Sequence, residues 1–168
     1  MPDYAFLKSD LINTTENDST EFATQIPFFI TKAELRITKD IDDIGLDEYT
    51  TVSVSSGNAG AVPLNDRVRI VRNVNYTVST GTTVTNLLQR TVEYASDYWP
   101  VSASTGTPRY YSRRTNSSIK IVPTPVSATT VEIQTASQPL ALASATGTSV
   151  TTSNYFSEYC YDALFYGC

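Results

Sequence analysis

The side chains able to do chemistry are few, and most kinds of site are excluded by what is missing. No histidine occurs in 168 residues, which removes histidine triads, the commonest general base and the usual zinc ligand. Asp40, Asp42, Asp43, Asp47 and Glu48 form an acidic run that invites a calcium loop. Ile44 stands at the fifth position, where an oxygen ligand is needed, and Thr51 replaces the closing glutamate. The run therefore reads as a solvated loop at the end of a helix. Glu93 and Asp97 could serve as a glycosidase-like carboxylate pair, but four residues apart on a helix they make an ordinary polar face. The seven glycines are scattered among turns and form no phosphate loop. The expectation is a protein that is not an enzyme and uses no cofactor or metal.

What remains is arginine set among tyrosines. Arg109, Arg113 and Arg114 flank Tyr110 and Tyr111, and Arg and Tyr together carry binding energy well at interfaces. Arg67, Arg69 and Arg72 share a strand, with 67 and 69 on one side and 72 on the other; they either pair with acidic groups of a neighbour or face solvent. A net charge of -5 and a pI near 4.6 argue against nucleic-acid binding through a general basic face. Stacking of the Arg/Tyr patch on single-stranded nucleic acid is the weaker use of the same residues. Cys160 and Cys168, eight apart on a helix, would lie roughly 12 Å from each other, too far for a disulfide.

The elements that position these groups follow from periodicity. Tyr4, Phe6, Leu7, Leu11 and Ile12 have helical spacing that ends in the polar run 13–18. Asp18 and Glu21 make a capping box for a second helix, whose stripe is Phe22, Ile26, Phe29, Ile30, Ala33 and Ile37. Pro27 either bends this helix near Ala23 or marks its start. The helix finishes around Asp40, and Gly45 suits a chain reversal.

From Glu48 the period is two. Strands are expected at 48–54, at 67–71 and through Val74, Tyr76 and Val78, with a turn at 79–82 and a return through Val84 and Leu87. Residues 91–98 fit a strand or a short helix. A hairpin follows, opened by Tyr110 and Tyr111, turned by the polar residues 114–118 and stopped by Pro123 and Pro125. Val131, Ile133 and Thr135 make another strand, and 138–150 is a loop. From Asn154 a last helix carries Tyr155, Tyr159, Asp162 and Tyr166 on one side and Phe156, Cys160 and Leu164 on another. Apolar on most sides where the sequence stops at Cys168, it is expected either to continue or to be buried against a neighbouring subunit.

The class is α+β: N-terminal helices packed with a C-terminal helix, plus a β-rich lobe of antiparallel strands and hairpins. The boundaries are 1–47 for the N-terminal helical part, 48–150 for the β-rich lobe and 151–168 for the C-terminal helix. An apolar content of 40% with 11% aromatic residues is too high for a disordered chain. No apolar run approaches the roughly 20 residues of a membrane span. Asp3 and Lys8 interrupt any secretory core, so a cytoplasmic origin is expected.

Five blocks in order carry a family resemblance. They are Ile26, Pro27, Phe28, Phe29, Ile30, Ala33, Glu34, Arg36 and Ile37; Pro63, Leu64, Asn65 and Asp66 leading into Val68, Arg69 and Ile70; Tyr94, Tyr98, Trp99 and Pro100; the hairpin from Gly106, Thr107, Pro108, Arg109, Tyr110 and Tyr111; and Gln138, Pro139 and Leu140 with the helix 153–164. Together they resemble the head-to-tail adaptor (connector, head-completion) proteins of tailed bacteriophages over nearly the whole chain. The resemblance implies a virion structural protein at the neck, assembled in the host cytoplasm. It implies a homo-oligomeric ring, commonly of twelve copies, between the portal protein and a tail or nozzle protein, lining the DNA passage without sequence-specific binding. A C-terminal segment of such proteins usually engages the portal, and it would begin where this sequence stops.

The residues themselves also point to assembly, since eleven tyrosines and two amphipathic helices leave more sticky surface than one small lobe can bury. Interface candidates are Phe22, Phe29, Arg36, Arg109, Tyr110, Tyr111, Arg113, Tyr155 and Tyr159. The alternative, from a different class, is a polar β-rich adhesin or carbohydrate-binding module.

Overall fold

The computed structural model describes residues 2–41, 44–55, 57–77, 84–101, 103–143 and 150–168; Asp42, Asp43, Val78 and the turn expected at 79–82 lie outside them. The fold is α+β, and the chain divides into two compact units: Met1–Leu46 with Gln138–Cys168, and Asp47–Ser137.

The first unit is helical. Helix α1 spans Tyr4–Thr15, capped by Asp3, whose side chain accepts from the Phe6 amide. Helix α2 spans Thr20–Asp40 and is capped by Ser19, which accepts from Phe22; the cap is one residue later than Asp18, because either side chain can reach the first-turn amides. Pro27 neither starts nor ends α2. It sits inside the helix, and the buried Ile26 and Ile30 on either side of it hold the helix on the core despite the missing donor. At the other end Ile41 caps α2 by donating to Ile37 O.

A 3-10 turn at Ile44–Leu46 follows. Gly45 serves there by its size and not by a reversal, since no glycine among the described residues has positive φ. A Cβ at this position would collide with Cε2 of the Tyr155 ring.

The terminal helix is in fact two: α4, Tyr155–Tyr159, and α5, Tyr161–Gly167, broken at Cys160. Asn154 and Ser157 form a capping box at the start of α4. Before it, the segment expected as a loop contains two short parallel strands. In order along the full chain these are β9, Ala141–Leu142, and β10, Val150–Thr151. The expected boundary at residue 150 moves to 138, because Leu142 joins the helical core with Leu7, Leu11, Ile26, Ile30, Ala33, Ile37, Phe156 and Leu164.

The second unit carries the remaining strands. β1 (Asp47–Val54), β3 (Val68–Thr77), β4 (Val84–Asn86) and β8 (Thr129–Ser137) form an antiparallel sheet in the order β1-β8-β3-β4. β2 (Val62–Pro63), β5 (Leu88–Gln89), β6 (Tyr110–Thr115) and β7 (Ser118–Val122) form the other, in the order β2-β7-β6-β5. β3 is one strand from Val68 to Thr77, with register shifts after Val68 and after Val71. Such bulges break strict alternation, so sequence parity alone does not give the sides on which Arg69 and Arg72 lie. β5 and β6 run parallel, which requires a crossover. That crossover contains α3, Val92–Tyr98, a helix capped by Thr91. Val54, Val71, Val74, Val131 and Ile133 from one sheet meet Val62, Tyr111, Ile119 and Ile121 from the other in a single core.

Candidate functional site

The tyrosine-bearing strand β6 builds the densest aromatic cluster of the second unit. Alternation sends Tyr111 into the core, where it is buried, and leaves Tyr110 on the opposite face under α3. Tyr94 and Tyr98, one turn apart on α3, stack at 5.8 Å with 7° between planes. Tyr110 meets both edge-on, at 5.5 and 5.2 Å, the geometry the aromatic quadrupole favours. Arg90 covers the cluster with its guanidinium 5.7 Å from Tyr94 and 5.6 Å from Tyr110, within cation–π range. The hydrogen bond with Tyr110 is the main cause raising the Tyr94 phenol above its ordinary value. The cluster therefore presents stacked and edge-on rings with one guanidinium lying over them. Trp99 extends it, 6.2 Å from Tyr98, and anchors the following loop by donating Nε1–H to Ser104 O at 3.1 Å.

The arginines of the hairpin divide by role. Arg113 is committed within its own unit, donating to the carbonyls of Arg69 (2.6 Å), Val68 (3.0 Å) and Asn116 (3.1 Å). Arg114 donates to Gly60 O at 2.9 Å. Both tie strands and turns together, a structural use of the planar fork. Arg109 is exposed. Arg72 pairs with Asp47 at 2.6 Å and Arg67 with Glu48 at 3.5 Å, so part of the acidic run is balanced inside the second unit. Glu93 and Asp97 are both exposed on α3.

In the helical unit Phe22 and Phe29 are half-buried with ring centroids 6.3 Å apart. Arg36 and Tyr159 are exposed, and Tyr155 is half-buried, 5.1 Å from the Tyr159 ring. Of the nine sequence candidates, Tyr111 belongs to the core and Arg113 to internal bonding. Arg109 and Tyr110 lie in the hairpin unit, and the other five in the helical unit. An open groove of about 590 Å³ runs along α1, lined by Tyr4, Lys8, Ile12 and Thr152 among others.

Sequence reasoning missed the one buried acid among the described residues. Glu34 is 2% exposed and accepts at Oε1 from the Leu142 amide (3.0 Å) and from Asn154 Nδ2 (2.6 Å). Its Oε2 is buried without a hydrogen-bond partner. Burial raises its carboxyl above the ordinary value, against the opposing pull of the bonds from Asn154 and Leu142. Asn154 also donates to Leu140 O at 3.0 Å and caps α4, so one carboxylate fastens α2 to β9 and to the head of the terminal helices. The available signal was its place on the apolar stripe, four residues after Ile30 and three before Ile37. Burial first, then the Glu34 charge, pushes the Cys168 thiol up to about 11.

Arg-bridged aromatic rings on one unit and exposed aromatic and cationic side chains on the other are the equipment of an assembly component. The model of the SU10 adaptor protein family matches residues 3–168, and the chain belongs to that family. It is a phage adaptor, a structural protein of the virion. No curated protein matches it. No helix among the described residues is long and apolar enough to cross a membrane.

Proposed function

We propose that this chain is a head-to-tail adaptor that assembles, in the host cytoplasm, into a closed ring of twelve copies between the portal protein and a tail or nozzle protein. Its work is geometric and not catalytic. The observation that carries the reading is aromatic and cationic side chains left uncovered on both units of one small subunit, in a chain of an adaptor family. Large exposed apolar side chains rimmed by charge mark contact surfaces, and Tyr, Trp and Arg are the residues that concentrate interface energy. Phe22, Phe29, Arg36, Arg109, Tyr110 and Tyr159 contribute contact surface, the last by its exposed ring. DNA passes through the ring unbound, held off by the net charge of -5 per subunit, an effect screened over about 8 Å at physiological salt.

The test is native mass spectrometry of the purified chain, alone and mixed with its cognate portal. A discrete closed oligomer in either sample supports the reading. Monomers in both overturn it.

A further inference from the structure

Two surfaces of the helical unit are bare and opposite in charge. Helix α2 gives Ile26, Ile30, Ala33 and Ile37 to the core. At 3.6 residues per turn, Phe28, Lys32, Leu35 and Lys39 then fall on the diametrically opposite side. All four are exposed, Phe28 by 53% and Leu35 by 43%. The Lys32 ammonium lies 4.3 Å from the Phe28 ring centroid, so its carbon stem widens the apolar strip while its charge stays in water.

The second surface is made of exposed side chains on α4 and α5, on either side of the break at Cys160. Tyr159 is 72% and Tyr166 84% exposed, and the exposed Asp162 sits between them in sequence, while Leu164 holds the other side of α5 in the core. Glu158, half-buried, adds to the negative rim.

One surface is thus aromatic and aliphatic with two lysines; the other is aromatic with a carboxylate. Either surface meeting its own kind across a two-fold axis would set like charges against each other, a costly juxtaposition at an interface. Each is complementary to the other. Contacts between two different patches are heterologous, and they propagate from copy to copy until the rotation closes a ring. Both surfaces belong to one compact unit, so the contact needs nothing from the β sheets.

We propose that Phe28, Lys32, Leu35 and Lys39 of one copy dock onto Tyr159, Asp162 and Tyr166 of the next copy. This rests on the ring reading above and names the surfaces that close it.

Charge reversal in the full-length chain tests it. Lys32→Glu with Lys39→Glu as one variant, and Asp162→Lys as another, each raise the protein concentration needed for assembly by about tenfold or more, roughly one lost interfacial charge pair. Combining the reversals restores assembly toward wild type. Because all three positions are exposed, circular dichroism should report unchanged folding.

A second measurement avoids weakened variants. In a background with the native free cysteines replaced, Cys160→Ala and Cys168→Ala, Lys32→Cys mixed with Asp162→Cys forms a disulfide between copies under mild oxidation, whereas either one alone does not. Unchanged assembly in every reversed variant overturns the docking while leaving the ring intact. Reversals that abolish portal binding but not self-assembly assign the two surfaces to the portal and also overturn it. A wild-type chain that never oligomerises, alone or with portal, removes the ring reading itself.

Discussion

Replacing Glu34 separates a structural clasp from an incidental buried charge. Glu34→Ala leaves two buried donors, the Leu142 amide and Asn154 Nδ2, without their acceptor. Each such donor costs about 1–3 kcal/mol. Removing a desolvated carboxylate with one unpartnered oxygen offsets part of that, leaving a net loss of about 2–4 kcal/mol. Glu34→Gln keeps an oxygen for both donors and discards the charge, so it costs about 1 kcal/mol or less. The sign of the pH effect follows from the raised carboxyl value. The folded state holds the Glu34 proton more tightly than the unfolded chain. The stability it confers is therefore fullest below the ordinary carboxylate range and is lost as pH rises through the folded value. Urea unfolding followed by helical circular dichroism at a series of pH values measures both effects. The wild-type chain should lose stability relative to Glu34→Gln as pH rises through that interval. A Gln variant as damaged as the Ala variant, or a wild-type chain that gains on it as pH rises, would refute the reasoning.

Two further outcomes follow from packing and burial. Gly45→Ala places a Cβ inside the Tyr155 ring, forcing that ring aside at a cost of about 1–3 kcal/mol, which lowers the melting temperature by several degrees; an unchanged melt contradicts it. With its thiol pushed up to about 11, Cys168 at pH 8 is alkylated about a hundredfold more slowly in the folded chain than an ordinary thiol, and unfolding in urea removes the difference. Equal rates before and after unfolding count against this burial.

The stripe of α2 was legible because its six expected members recur at helical spacing and four of them are buried. The same periodicity left residues 91–98 open, since eight residues are too few to separate the two periods; Thr91 as a cap and a parallel pair needing a crossover are what fix α3. The break at Cys160 has no proline or glycine to announce it. β9 and β10 are two residues each in an Ala/Ser/Thr-rich segment; β9 is held from outside it by Glu34 and the helical core, and β10 pairs with β9. At the candidate surface, Arg109 and Tyr110 were readable from composition around one hairpin. Tyr111 and Arg113 were not separable from them until the alternation of β6 and the carbonyls opposite Arg113 were in place. The Tyr94–Tyr98–Tyr110 cluster needed α3 to fold over β6, a contact between segments that no local pattern specifies.

The most direct measurement is electron microscopy of the purified chain mixed with its cognate portal. The account predicts a closed ring seated coaxially on the portal, with neighbouring copies in contact through their helical units. Portal particles with no added ring, beside a chain that stays monomeric at every concentration tried, would contradict it.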